Sequence, residues 1–190
     1  MGLCDKLTAG IASNCNRLVS GVNQKLVLAN REDISFTRDS TNPQLITGVS
    51  LIGGATGFLF EGRRNSVTPS SAMQSTKYDV GFIHTVGFVI FDNNAAVKKI
   101  IAQLASGDVV AFIENNYKGV AGNASFEIFG TDAGLVLKTV GSDKYNADTQ
   151  GAYELSLSTP DGSFEPYLPS SLFVTDYAAS KVIFNSLFAA

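Results

Sequence analysis

The run Asp79–Asn116, DVGFIHTVGFVIFDN-NAAVKKIIAQLASG-DVVAFIENN, decides the fold. From Val80 to Phe91 both alternating sets of residues are mostly apolar, and β-branched and aromatic types dominate. That composition predicts a long strand covered on both faces. Asp92-Asn93-Asn94 supplies small polar caps for a helix start. Val97, Ile100, Ile101 and Leu104 recur at helical spacing, with Lys98, Lys99 and Gln103 on the other face. Ser106-Gly107 ends the helix. Asp108 leads into VVAFI, a second buried strand.

Outward from this unit the chain reads as more strand. Residues 1–24 form an N-terminal arm, with Asp5 able to cap a short turn. Strands are expected within 26–36, interrupted at Asn30–Asp33, and over 45–52, 56–62, 124–130, 135–140 and 152–159. Phe126–Phe129 and Leu135–Val140, joined by Thr131–Gly134, read as a β-hairpin. AYELSLST (152–159) alternates cleanly, as a half-exposed antiparallel strand does. Thr175-Asp176 caps a second helix expected over 176–188, with Ala178, Val182 and Leu187 on its apolar stripe. About eight or nine strands with few helices argue against alternating βαβ units. The reading is one mainly β (α+β) domain over 1–190: a β-sandwich or partly closed barrel, one flanking amphipathic helix and one C-terminal helix.

The longest polar run is RRNSVTPSSAMQSTK, Arg63–Lys77, inside a segment 62–78 that reads as a long loop or extended hairpin. A loop this long in a compact domain is usually functional. Arg63, Arg64, Val67, Met73 and Lys77 are therefore the candidate subunit-interface residues, and removal of Ser66–Thr76 is expected to impair assembly and spare the fold.

Composition narrows the function classes. The 190 residues are 45% hydrophobic and only 16% charged, with net charge −3, 18 glycines, 13 phenylalanines and no tryptophan. A net negative chain does not make a nucleic-acid grip. No apolar run approaches membrane-helix length, and the start lacks a basic-then-apolar leader. Met1-Gly2 begins like a myristoylation signal, but Lys6 stands where Ser or Thr is needed. Cys4 and Cys15 could pair in an oxidising setting, but a chain made in the cytosol keeps them reduced. With His84 they cannot complete a zinc site, and no cofactor motif is present.

Catalytic signatures are equally thin. His84, the only histidine, shares a strand face with Phe82, Val86 and Phe88, as a core histidine bonded to backbone would. Glu114, Glu127 and Glu154 lie on separate strands and could meet on one sheet face as paired carboxylates. Gly53–Gly57 resembles a phosphate loop but leads into FLF rather than a helix. Asn123-Ala124-Ser125 fits a glycosylation sequon by chance. Tyr117, Tyr145, Tyr153 and Tyr167, with the scattered acids, keep a carbohydrate-binding module or small hydrolase as an alternative of another class.

Four stretches carry a family resemblance: CDKLTAGIASNC (4–15), the strand–helix–strand unit 79–116, FEIFGTDAGLVL (126–137) and GAYELSLSTPDG (151–162). Together they resemble tail-tube-type virion structural proteins of tailed phages and prophages of Bacteroidetes. The resemblance implies a non-enzymatic subunit of the virion, present in host cytoplasm during assembly. It implies rings of six copies that stack into a tube, other tail proteins as partners, and DNA passing through the lumen without specific binding. A head–tail connector, neck or capsid decoration protein is the nearest alternative role.

Overall fold

The computed structural model describes residues 9–11 and 18–188. The expectations for Cys4, Cys15 and the Asp5 turn lie outside the described residues. The chain is 42% strand and 13% helix, in two sheets that do not close into a barrel. The seven-stranded sheet has the order β2-β3-β11-β8-β7-β1-β4, and the four-stranded sheet the order β5-β6-β10-β9. The strands are β1 Val22–Asn30, β2 Ile34–Arg38, β3 Leu45–Leu51, β4 Phe58–Glu61, β5 Val67–Ser75, β6 Val80–Ile90, β7 Val109–Asn115, β8 Phe126–Phe129, β9 Val136–Gly141, β10 Tyr153–Ser158 and β11 Ser170–Leu172. The helices are α1 Ala95–Leu104 and α2 Tyr177–Ser186. All pairings are antiparallel except β11 with β3. The expected arm therefore ends at Gly21, since Val22 already pairs with Asn115.

β1 and β7 explain why the large sheet forms. Four consecutive residues of β1, Leu26–Ala29, and six of β7, Val109–Glu114, are buried. A strand buried on both faces needs a cover on each side. Leu26, Leu28, Ala111, Ile113 and Phe129 face the small sheet, where they meet Val86, Phe88, Leu155 and Leu157. Val27, Ala29, Phe112, Phe126 and Ile128 face outward, where Phe184 and Leu187 of the α2 segment cover them. The order is small sheet, large sheet, helix. α1 links β6 of one sheet to β7 of the other and lends Ile101 and Leu104 to the core between them. Asn94 caps it through Oδ1, which accepts from the Val97 amide at 2.9 Å.

The segment 62–78, read as a long loop or an extended hairpin, takes the second form: after a turn at Asn65, where φ is 59°, β5 pairs residue for residue with β6 from Val67–Phe88 to Ser75–Val80. Three expectations need correction. Val67, offered as an interface residue, is core, only 5% exposed. Phe126–Phe129 and Val136–Gly141 are not a hairpin, because β8 belongs to the large sheet and β9 to the small one. On α2 the buried positions are Ser180 and Phe184, whereas Val182 is exposed.

β6 differs from the sequence reading in a way that bears on function. Its inward set, His84, Val86 and Phe88, is buried, while Ile83, Thr85, Gly87 and Val89 remain half-exposed. That outer face is half-exposed from Ile83 to Val89 and closes only at Gly81, where an added Cβ would lie 2.4 Å from Phe164 Cβ.

Candidate functional site

The molecule's polar groups fall into two buried clusters and one exposed projection. The first cluster holds the crossover between sheets. The link from β8 to β9 leaves the large sheet at Gly130, so its backbone amides lose their ladder partners and need others. His84 supplies one: its Nδ1 accepts from the Gly130 amide at 3.1 Å, so the ring proton sits on Nε2, which donates to the Tyr167 carbonyl at 3.0 Å. Glu165 supplies the rest, accepting from the amides of Ala133 at 2.8 Å and Asp132 at 3.1 Å and from the Thr131 hydroxyl at 3.4 Å. Burial pushes the Glu165 carboxyl up, against the pull of those amides. Burial also pushes the His84 imidazole down to about 4, although its bond to the Tyr167 carbonyl favours the proton. Both ring nitrogens are engaged with backbone, so His84 is a structural pin.

This pin makes stability pH-dependent. An unfolded histidine titrates near 6.5 and the folded one near 4. Below pH 6.5 the unfolded chain takes up a proton that the folded chain refuses, so stability is full above 6.5 and falls as pH drops towards 4. The loss is about 2 kcal/mol at pH 5. Urea unfolding at pH 7 and pH 5 checks it, and a midpoint unchanged between the two contradicts it.

The second cluster anchors α2. Glu114, at the end of β7, is 3% exposed. It accepts from Lys181 Nζ at 2.5 Å, Lys118 Nζ at 2.6 Å, the Tyr177 hydroxyl at 2.8 Å and Asn23 Nδ2 at 3.3 Å. Burial alone would raise its pKa, but the two ammonium groups and the phenol hold it down at about 2. Phe126 stacks on Tyr177 with centroids 5.8 Å apart, beneath the same two lysines. Gly122 touches the start of α2 so closely that a Cβ there would lie 2.6 Å from Tyr177 Cβ.

The paired-carboxylate reading does not survive this geometry. Ile113 lies opposite Glu127 and Glu114 opposite Phe126, so the two acids are on opposite faces of the large sheet. Glu154 is in the other sheet. Burial pushes the Glu127 carboxyl up, but no second acid faces it from β7. Nor do the tyrosines gather: Tyr117 follows the end of β7, whereas Tyr153 opens β10 and donates to Asn93 at 2.8 Å.

The projection is the outer half of the β5–β6 hairpin. Every residue from Ser70 to Val80 is exposed, whereas the β6 partners Gly81 and His84 are buried and Phe82 also bridges Glu165, so the exposed part is the β5 edge and the turn. The tip is a turn in which the Thr76 amide donates to the Asp79 carbonyl at 2.7 Å and the Asp79 amide to the Thr76 hydroxyl at 3.0 Å. Met73, Tyr78 and Val80 on this tongue are 69%, 78% and 55% exposed. Lys77 stands over the Tyr78 ring at 5.0 Å. At the opposite end of the β5–β6 ladder, Arg63 lies 4.4 Å over the Phe91 ring and Arg64 is exposed. Of the five sequence candidates, Met73 and Lys77 therefore sit on the tongue, and Arg63 and Arg64 at the far end of the ladder from its tip. Tyr78 and Val80, its other exposed apolar residues, carried no sequence signal beyond standing next to the polar run.

β5 is also an edge. Among the described residues nothing pairs with its outer side, nor with the outer side of β9 across the same sheet. No charged residue lies in β5, and Pro69 is the one residue there that blocks pairing. At the other end of β6, the large sheet's edge strand β4, the end of β6 and α1 enclose an apolar cleft of about 890 Å3. Its walls include Phe58, Phe60, Phe88, Ile90, Val97 and Ile100, with Phe60 edge-on to Phe88 at 5.4 Å.

No family model, curated protein or solved structure matches the chain. No described helix is long and apolar enough to cross a membrane.

Proposed function

We propose that this chain is a non-enzymatic virion subunit of the tail-tube type, whose work is to join copies of itself into rings and the rings into a tube. The observation that carries the proposal is the stretch Ser70–Val80, an edge strand and turn exposed throughout, paired on one side only to β6. An uncharged open edge invites another strand. A chain that keeps one beside the exposed Met73, Tyr78 and Val80 has a use for it. The two free edges of the small sheet, β5 and β9, lie on opposite sides of it. Pairing of β5 in one copy with β9 in the next is a head-to-tail contact, which closes into a ring when the rotation allows.

The outer face of the small sheet suits a conduit. Thr68 and Gly87, Thr85 and Ser70, and Ser156 and Thr139 are cross-strand partners on it. Thr85 and Ser158 share a hydrogen bond at 3.2 Å. Lys138, at the bulge of β9, is held by Asp161 at 2.8 Å. A hydroxyl-lined face with few free cations offers phosphate little to hold, so DNA would pass rather than bind. Other tail proteins would meet the two ends of such a tube.

Electron microscopy of the concentrated protein tests the proposal. Rings or tubes with a central channel are expected; a uniform field of monomers, with and without other tail proteins, removes it. Labelling the subunit in intact particles separates a tube from a connector, neck or decoration role.

A further inference from the structure

We propose that the apolar cleft between β4, β6 and α1 is the receptor for the tongue of a second copy, so that subunits join end to end along the direction of β6. This rests on the assembly reading above and names the surface the tongue occupies. The tongue rises from the start of β6 at Val80, and the cleft is walled by its end at Phe88–Ile90. Ten residue steps separate Val80 from Ile90, about 33 Å along a strand. Projection and recess thus stand at opposite ends of one rigid element. They cannot meet within a chain, and between chains they make a heterologous contact that repeats without limit along one axis. That is the contact that stacking needs, and it is distinct from the sideways β5–β9 pairing that closes a ring.

The chemistries match. The tongue offers Met73, Tyr78 and Val80, all largely exposed. The cleft offers aromatic and aliphatic walls, including Phe58 and Ile100, both exposed. In a lone subunit the apolar walls of the cleft face water, and a hairpin tip seated there removes that surface from it. The charged residues lining the cleft are two acids, Glu61, which Lys25 already faces at 3.4 Å, and Asp92, while Arg63 stands over the lining Phe91. The tongue brings Lys77, while its own Asp79 carboxylate is turned back to accept the Val80 amide at 2.8 Å. β4 is an open edge beside the cleft, so an incoming strand also finds backbone groups to pair with.

The experiment mixes Y78C with isotope-labelled I100C under mild oxidation and identifies linked peptides by mass spectrometry. A linkage between position 78 of one chain and position 100 of the other is expected, at least tenfold above either variant alone. Particles larger than a monomer that lack this linkage overturn the receptor assignment and leave the ring reading standing. A mixture that stays monomeric at every concentration overturns both. As a second variant, I100E places a charge on an exposed cleft wall. It should keep the parent's unfolding temperature and form rings, but cut mean tube length at least tenfold. Tubes of parental length contradict the assignment.

Discussion

Replacing Ser75–Val80 with Asn-Gly, so that Gln74 and Gly81 are joined by a tight turn, is expected to abolish the stacking of rings into tubes while leaving the rings and the fold intact. All six replaced residues are exposed, and Asn-Gly suits a two-residue hairpin turn. Surface changes away from core contacts usually move stability by less than about 0.5 kcal/mol, so the unfolding temperature should hardly shift. Stacking should respond very differently. Tyr78 and Val80 are lost from the contact, and burying such side chains is worth about 1.5–3 kcal/mol each. The association constant for stacking should fall by at least about 100-fold. Light scattering against concentration reads the effect, and unimpaired stacking takes the tongue out of the interface. The larger deletion Ser66–Thr76 is not equivalent. It removes Val67 from the core and the Ser66 amide that donates to Gln24 Oε1 at 2.8 Å, so it would damage the fold that the sequence alone suggested it would spare.

Glu114→Ala is expected to be the most destabilising single substitution in the outer layer. Removing one member of a buried ion cluster costs about 3–5 kcal/mol when the others cannot escape. Here Lys118 and Lys181 keep 40% and 27% of their side chains exposed and can turn to water, so about 3 kcal/mol is the better expectation. In a chain of this length that lowers the unfolding temperature by roughly 6–12 °C. The loss should be local first. Lys181 and Tyr177 belong to α2, and without Glu114 the helix is held mainly by Phe184 and Leu187 on the large sheet. Amides of α2 should exchange faster than those of β7. A melting temperature within a degree or two of the parent would mean that the cluster is incidental. Acid gives an independent reading. The depressed Glu114 pKa means its contribution is present above pH 4.5 and is lost as pH falls towards about 2, below the window in which His84 acts.

The sequence made some of this legible and concealed the rest for identifiable reasons. VVAFI and LVLA are apolar on both alternating sets, and the structure covers both faces of those strands, one with the small sheet and one with α2. Asn94 and Asp176 were readable as caps because capping needs only a short polar side chain at the right place; Asp176 Oδ1 accepts the Ala179 amide at 2.8 Å. β5 could be read only as part of a long loop or an extended hairpin, because its side chains meet solvent beyond Val67 and no apolar alternation decides between them. Its register comes from β6. The 126–140 pair looked like a hairpin because Thr131–Gly134 has turn chemistry. In the fold, Gly130 and Gly134 take φ of 80° and 76° to carry the chain between sheets. The α2 stripe was misplaced because Ser180 looks polar. It is buried with its hydroxyl donating to the Asp176 carbonyl at 2.8 Å and accepting the Val174 amide at 3.1 Å. The Glu114 cluster was invisible because Lys181 lies 67 residues away.

Hydrogen–deuterium exchange of the tongue and the small sheet's edges, followed from dilute to concentrated protein, tests the central claim most directly. The account predicts fast exchange at Ser70–Val80, and at those β5 and β9 amides that point away from the sheet, in dilute solution. Protection should appear at all three together as concentration rises. Equal, fast exchange at every concentration, with the core strands protected throughout, would contradict it.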